Sequence, residues 1–185
     1  MEGIAEGNGR LYERKTGRLI FDGHFEYNRY SGYGTYYKLL DHEDGSISNE
    51  IRYQGYFLNN QYNGFGIQYD YKNGHYYVCY IGGFKENEYS GYGYCFTYEP
   101  GYYDGPGWES AFQDEDNRKF LITAKLQVRH IIMDVEDKKH VMLRYKGMFR
   151  NNKYNGEGTL YNISEEGKYY VEHEGHFVDN EYDQQ

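Results

Sequence analysis

The sequence predicts an all-β fold: an elongated single layer of antiparallel β-hairpins in chain order, about eleven strands in all. Three observations carry that prediction. One aromatic and glycine pattern returns five times along the 185 residues. The composition holds 26 Tyr and 24 Gly, and Tyr favours strands while Gly is poor in helices. Each copy also has Asn where a two-residue hairpin turn needs a positive φ. Leu, Ile, Val and Phe supply only 35 residues, so the tyrosines must build much of the core.

The units follow in order. The first is Phe21-Asp-Gly23-His-Phe25-Glu-Tyr-Asn28-Arg-Tyr30-Ser-Gly32-Tyr-Gly34. The second starts at Tyr53 with Gly55, Phe57, Asn60, Tyr62, Gly64 and Gly66 in the same places. The third carries Tyr80, Gly82, Phe84, Asn87, Tyr89, Gly91 and Gly93. The fourth carries Tyr145, Gly147, Phe149, Asn152, Tyr154, Gly156 and Gly158. A fifth, His173 to Asp183, has Gly175, Phe177, Asn180 and Tyr182, and Gly7 to Tyr12 reads as the trailing half of another. The whole chain, 1–185, is expected to be one array with units at about 21–36, 53–69, 80–96, 145–161 and a partial 173–183.

Counted from its first aromatic, the unit reads aromatic 1, Gly 3, Phe 5, Asn 8, Tyr 10, Gly 12 and Gly 14. A two-residue turn at positions 7 and 8 sets Phe 5 opposite Tyr 10, Gly 3 opposite Gly 12, and aromatic 1 opposite Gly 14. All six then share one face, with bare glycine leaving room for a ring to lie over the backbone. The other face, Asp22, His24, Glu26, Arg29 and Ser31 in the first copy, is expected to be solvated. Glu26 with Arg29 and Lys85 with Glu88 read as cross-strand ion pairs; Arg150 with Lys153 is a like-charge exception.

Between units the chain reads as further strands, with turns at Lys72 to His75, around His42 to Ser48, and at Ser164 to Gly167. Residues 100–143 are an insertion, in which Phe120, Ile122, Ala124, Leu126 and Val128 alternate with polar residues as in a long half-buried strand.

Aromatic-x-Gly-x-aromatic, a turn, then Gly-x-Gly resembles the MORN repeat (membrane occupation and recognition nexus), over roughly residues 7–99 and 143–183. The units depart from the family pattern with Asn at position 8, Phe at position 5 and longer links. The resemblance implies hairpin ribbons that act as scaffolds or partner-docking modules, including in cytoskeletal proteins, or as segments attached to enzymes. It also implies lipid binding, which a net charge of −9 disfavours at anionic membranes.

The same charge disfavours nucleic acid. No run of eighteen apolar residues occurs, the first residues lack a signal-peptide pattern, and two Cys make no disulfide framework. These features are expected of a cytoplasmic protein, and the resemblance adds the cytoskeleton. Gly-x-Gly at Gly32/Gly34 and its equivalents sits in strands without a following helix, so it reads as packing rather than a phosphate loop. Cys79 and Cys95, at positions 0 and 16, are expected on opposite faces, as are His173 and His176, so neither pair reads as a metal site. The acidic stretch Asp114-Glu115-Asp116 lacks the ordered spacing of a calcium loop.

No catalytic set, cofactor or metal is expected. The functional expectation is a noncatalytic scaffold or adaptor that holds a partner helix or peptide in a groove formed by Phe25, Tyr30, Phe57, Tyr62, Phe84, Tyr89, Phe149 and Tyr154. The alternatives are a regulatory or targeting arm of a larger enzyme, a phosphoinositide-associated module, and a carbohydrate-binding array.

Overall fold

The structure, a computed structural model, describes residues 3–42, 44–72, 75–99 and 141–182. The expected strand at Phe120 to Val128, Trp108 and the acidic stretch lie outside these residues. The described residues form one open ten-stranded sheet without helices: β1 (Gly7–Tyr12), β2 (Leu19–Glu26), β3 (Arg29–Asp41), β4 (Ile47–Leu58), β5 (Gln61–Lys72), β6 (His75–Lys85), β7 (Glu88–Tyr98), β8 (Val141–Arg150), β9 (Lys153–Ile163) and β10 (Tyr169–Phe177). Spatial order equals chain order, and neighbouring strands are antiparallel. The insertion does not interrupt the sheet, because β7 pairs directly with β8 out to Tyr98↔Val141.

Each unit's hairpin turn has both central residues at positive φ, from Tyr27 (48°) and Asn28 (64°) to Asp179 (51°) and Asn180 (77°), as a primed turn requires. Asn at position 8 also bridges units. Its Oδ1 accepts the N–H of the position-10 residue in the unit before: Tyr30 from Asn60, Tyr62 from Asn87, Tyr89 from Asn152 and Tyr154 from Asn180, each at 2.8 Å. The Asn N–H returns a bond to the same residue's carbonyl, as Asn60 does to Tyr30 at 3.0 Å. Ala5 and Asn28 make the same bracket, which confirms that Gly7–Tyr12 is a trailing half-unit.

The register differs from the expected one. Phe25↔Tyr30 pairs as expected, but the next pair is Gly23↔Gly34, so three residues of the trailing strand face one of the leading strand. The same shift recurs in the second, third and fourth units. It falls at the position-12 glycine, whose φ is +65° at Gly32 and +94° at Gly64, the left-handed region where only glycine is free of strain. Gly 3 therefore faces Gly 14 and not Gly 12. A side chain at position 12 would meet position 4 on the opposite face, as at Gly64 against Tyr56 Cβ, 3.3 Å away.

With that register, Gly9, Gly23, Gly34, Gly55, Gly66, Gly82, Gly93, Gly147, Gly158 and Gly175 form one continuous row, one glycine per strand. A second bulge recurs at position 0, where Ile20, Arg52, Cys79, Arg144 and Glu172 are the unpaired extra residues.

The opposite face is not uniformly solvated. Its central row runs Arg10, Asp22, Thr35, Gln54, Ile67, Ile81, Tyr94, Lys146, Thr159 and Glu174. Thr35, Gln54, Ile67, Ile81, Tyr94 and Thr159 are buried. The first copy's polar residues are a poor guide to the middle units. Glu26 and Arg29 are cross-strand neighbours but form no ion pair: Glu26 accepts from Ser31 Oγ (3.1 Å) and Arg29 donates to Asn59 (3.2 Å).

Candidate partner-binding face

The glycine row is the floor of the ring face. At Gly82 and Gly93 a Cβ would stand 2.6 Å from Tyr80 ring or hydroxyl atoms, and Gly23 and Gly34 meet Phe21 at 2.7 and 2.6 Å. The position-1 ring thus lies flat on the backbone. Where it is Tyr, its hydroxyl crosses the row and donates to the position-4 carbonyl: Tyr53 to Tyr56 (2.9 Å), Tyr80 to Gly83 (3.1 Å) and Tyr145 to Met148 (3.1 Å).

On this first layer stacks the position-10 tyrosine. Ring centroids are 3.9 Å apart for Phe21 and Tyr30, 3.8 Å for Tyr53 and Tyr62, 3.7 Å for Tyr80 and Tyr89, and 3.9 Å for Tyr145 and Tyr154. His173 and Tyr182 continue the series at 4.2 Å. The position-5 phenylalanine stands edge-on between successive stacks: Phe57 is 5.1 Å from both Phe21 and Tyr53, and 5.8 and 5.5 Å from Tyr30 and Tyr62. Edge-to-face and offset-stacked contacts are the favoured aromatic geometries, so the rings form one herringbone ladder.

All eight rings of the expected groove lie together on this face, but with unequal access. Phe25, Phe57, Phe84 and Phe149 are buried as the ladder's rungs. Tyr30, Tyr62, Tyr89 and Tyr154 are half-buried, and since their inner faces cover position-1 rings, the surface they offer is the outer one. Burial pushes the Tyr62 hydroxyl up to about 12. No family model matches the sequence, and no curated protein matches it.

Position-0 bulges place side chains here that parity counting assigns to the other face. Cys79 Sγ lies 4.0 Å from the Tyr89 hydroxyl and Cys95 bonds that of Tyr154, so both thiols reach ring-face tyrosines, contrary to expectation. Burial raises both, Cys95 to about 11 against the opposing Tyr154 hydrogen bond, which keeps them protonated and poorly nucleophilic. The equivalent Arg52 donates to Tyr69 O (2.7 Å) and Asp70 (2.6 Å). Arg144 donates to Tyr161 O and pairs with Glu172 at 3.3 Å, and Tyr182 donates to Glu172. These repeat-related contacts are invisible to a reading of positions 1–14.

Another missed cluster joins His42 to Ser48 (Nε2, 2.7 Å) and Tyr71 (Nδ1, 3.1 Å). A tyrosine stands where a catalytic triad puts a carboxylate, and the cluster ties down the β3–β4 turn. Among the described residues no group of three or more His, Cys, Asp or Glu could hold a metal. His173 and His176 separate as expected, one stacked on Tyr182 and the other bonded to Glu157 at 3.0 Å.

Proposed function

We propose that this chain is a noncatalytic scaffold of the MORN-repeat type, whose ring face binds a partner protein in the cytoplasm. One observation carries the reading: the position-10 tyrosines form a repeated outer layer on closely packed rings. Each rests on a fully buried ring at 3.7–3.9 Å in four successive units. Rigid tyrosines give contact area at low entropic cost and a hydroxyl for hydrogen bonding. A net charge of −9 argues against docking on anionic lipid by charge.

Affinity capture from the source cell tests this, with intact chain beside Tyr62→Ala and Tyr89→Ala. Loss of a protein partner in both variants, but not in Glu26→Ala or Lys85→Ala, is the expected result. Vesicles containing phosphatidylserine or phosphoinositide serve as the control. Strong, salt-sensitive pelleting with no protein recovered would replace the scaffold reading with a lipid-binding one.

A further inference from the structure

The two outermost strands of the described sheet, β1 and β10, are complementary halves of one unit. The bracket with Asn28 sets Ala5 at position 10, so Gly7 and Gly9 are the glycines of positions 12 and 14. Gly7 has the positive φ of position 12, +80°. β10 carries the other half: His173 at position 1, Gly175 at position 3 and Phe177 at position 5.

Each edge shows what the other supplies. Phe21, Tyr53, Tyr80 and Tyr145 lie over two glycines of their units and are 0% exposed, whereas His173 lies over Gly175 and is half-buried. A Cβ on Gly34, Gly66, Gly93 or Gly158 would run into the position-1 ring of its unit, but one on Gly9 would meet Phe25 at 3.5 Å and, among the described residues, no position-1 ring. Phe57 stands between the stacks of two units; Phe25 meets Phe21 and Tyr30 and, among the described residues, no ring on the side of β1. Leu11 at position 16 is 39% exposed, while Leu160 at that position, with a strand on either side, is 5% exposed. Charge matches as well. Position 2 pairs with position 15, as Lys146 does with Thr159, which sets the exposed Glu174 opposite Arg10. No unit inside the sheet places opposite charges there, since the other pairs are Asp22↔Thr35, Gln54↔Ile67 and Ile81↔Tyr94.

We propose that copies of this chain associate head to tail, β10 of one pairing antiparallel with β1 of the next and completing a unit across the seam. Gly175 faces Gly9 of the second copy, and His173 lies over both. Phe25 of the second copy packs against the stack of His173 and Tyr182, and Glu174 pairs with Arg10. Ala5 and Tyr182 both hold position 10, so Tyr182 replaces Ala5 at Asn28 of the second copy and residues 3–6 give way. A contact between unlike edges leaves one edge of each kind open, so association continues past the dimer and the ring face runs on from copy to copy.

Sedimentation velocity of the 185-residue chain over about a hundredfold range of concentration tests this. The unaltered chain is expected to grow past the dimer as concentration rises. Gly9→Val fills the place of the incoming ring, and Glu174→Lys sets two cations together at the seam; each is expected to weaken association at least about tenfold. In an equimolar mixture, β10 of the Gly9→Val chain and β1 of the Glu174→Lys chain are both unaltered. The mixture is therefore expected to form dimers with the affinity of the unaltered chain and to stop there. Glu174→Lys changes an exposed residue, so its result stands even if Gly9→Val fails to fold. A monomer mass throughout the range overturns the proposal, as does association that Glu174→Lys leaves unchanged. A mixture no stronger than either variant alone assigns the contact to like edges and overturns it too.

Discussion

The two faces of this sheet are built under different rules. On the ring face each unit repeats one arrangement: a ring on the glycine row, a tyrosine stacked at 3.7–3.9 Å in the four units that carry both glycines, and an edge-on phenylalanine between stacks. On the opposite face the equivalent row changes from Arg10 paired to Asp22 at one edge, through buried Ile67 and Ile81, to Lys146 and Glu174. The difference teaches where the fold is specified. Ring packing over bare backbone tolerates little variation because neighbouring units share Phe57, Phe84, Phe149 and Phe177, whereas the other face is free to individualise each unit.

Alkali is the broadest way to break the comparison, because it strikes the stacked tyrosines together. Burial raises Tyr62 and Tyr145 from 10 to about 12. A hydroxyl that holds its proton more tightly when folded stabilises the fold fully below about pH 10. That contribution is lost as pH climbs through about 12. Loss of β-sheet circular dichroism should therefore set in as pH climbs towards 12, together with the phenolate absorbance of these buried rings.

Truncations sharpen the contrast. Tyr53, with 0% exposure and rings on every side, should cost about 3–5 kcal/mol as Ala. Tyr92, 47% exposed on the other face, should cost under about 0.5 kcal/mol. Urea midpoints at unchanged slope measure both.

Two glycines of β7 separate ring packing from backbone strain. Gly93→Ala would push a methyl to 2.6 Å from the Tyr80 ring, an expected loss of about 3 kcal/mol. At Gly91 nothing lies within 4 Å, but φ is +77°, so Ala there should cost only the left-handed penalty, about 1–2 kcal/mol. Equal losses in thermal melts would mean that the glycine row is not held by the rings above it.

The smallest effect concerns the link between turns. Asn87→Gly keeps the positive φ of 72° but loses the 2.8 Å bond to the Tyr62 N–H, an expected cost of about 1 kcal/mol. A neutral result would reduce Asn87 to a turn residue.

Much of this was legible in the sequence. Positions 1, 5 and 10 and the turn at 7 and 8 follow from period-two alternation and from Asn, and the eight rings do share a face. The bulges at positions 0 and 12 were not legible, because parity counting assumes that no residue is extra; that assumption misassigned the Gly 12 partner and the side of Cys79. The layering was also hidden. Spacing alone cannot tell that Tyr62 lies on Tyr53 and not beside it, and that order decides which rings are buried rungs and which are surface. Asn60 explains itself as a turn former, so its second bond, to Tyr30, left no separate signal.

Tyr89 and Tyr92 offer the most direct test of the functional reading, since they stand three residues apart on β7 and face opposite ways. Affinity for the captured partner should fall at least about tenfold in Tyr89→Ala and stay within about twofold in Tyr92→Ala. The reverse ranking, with both variants folded, would contradict the assignment of binding to the ring face.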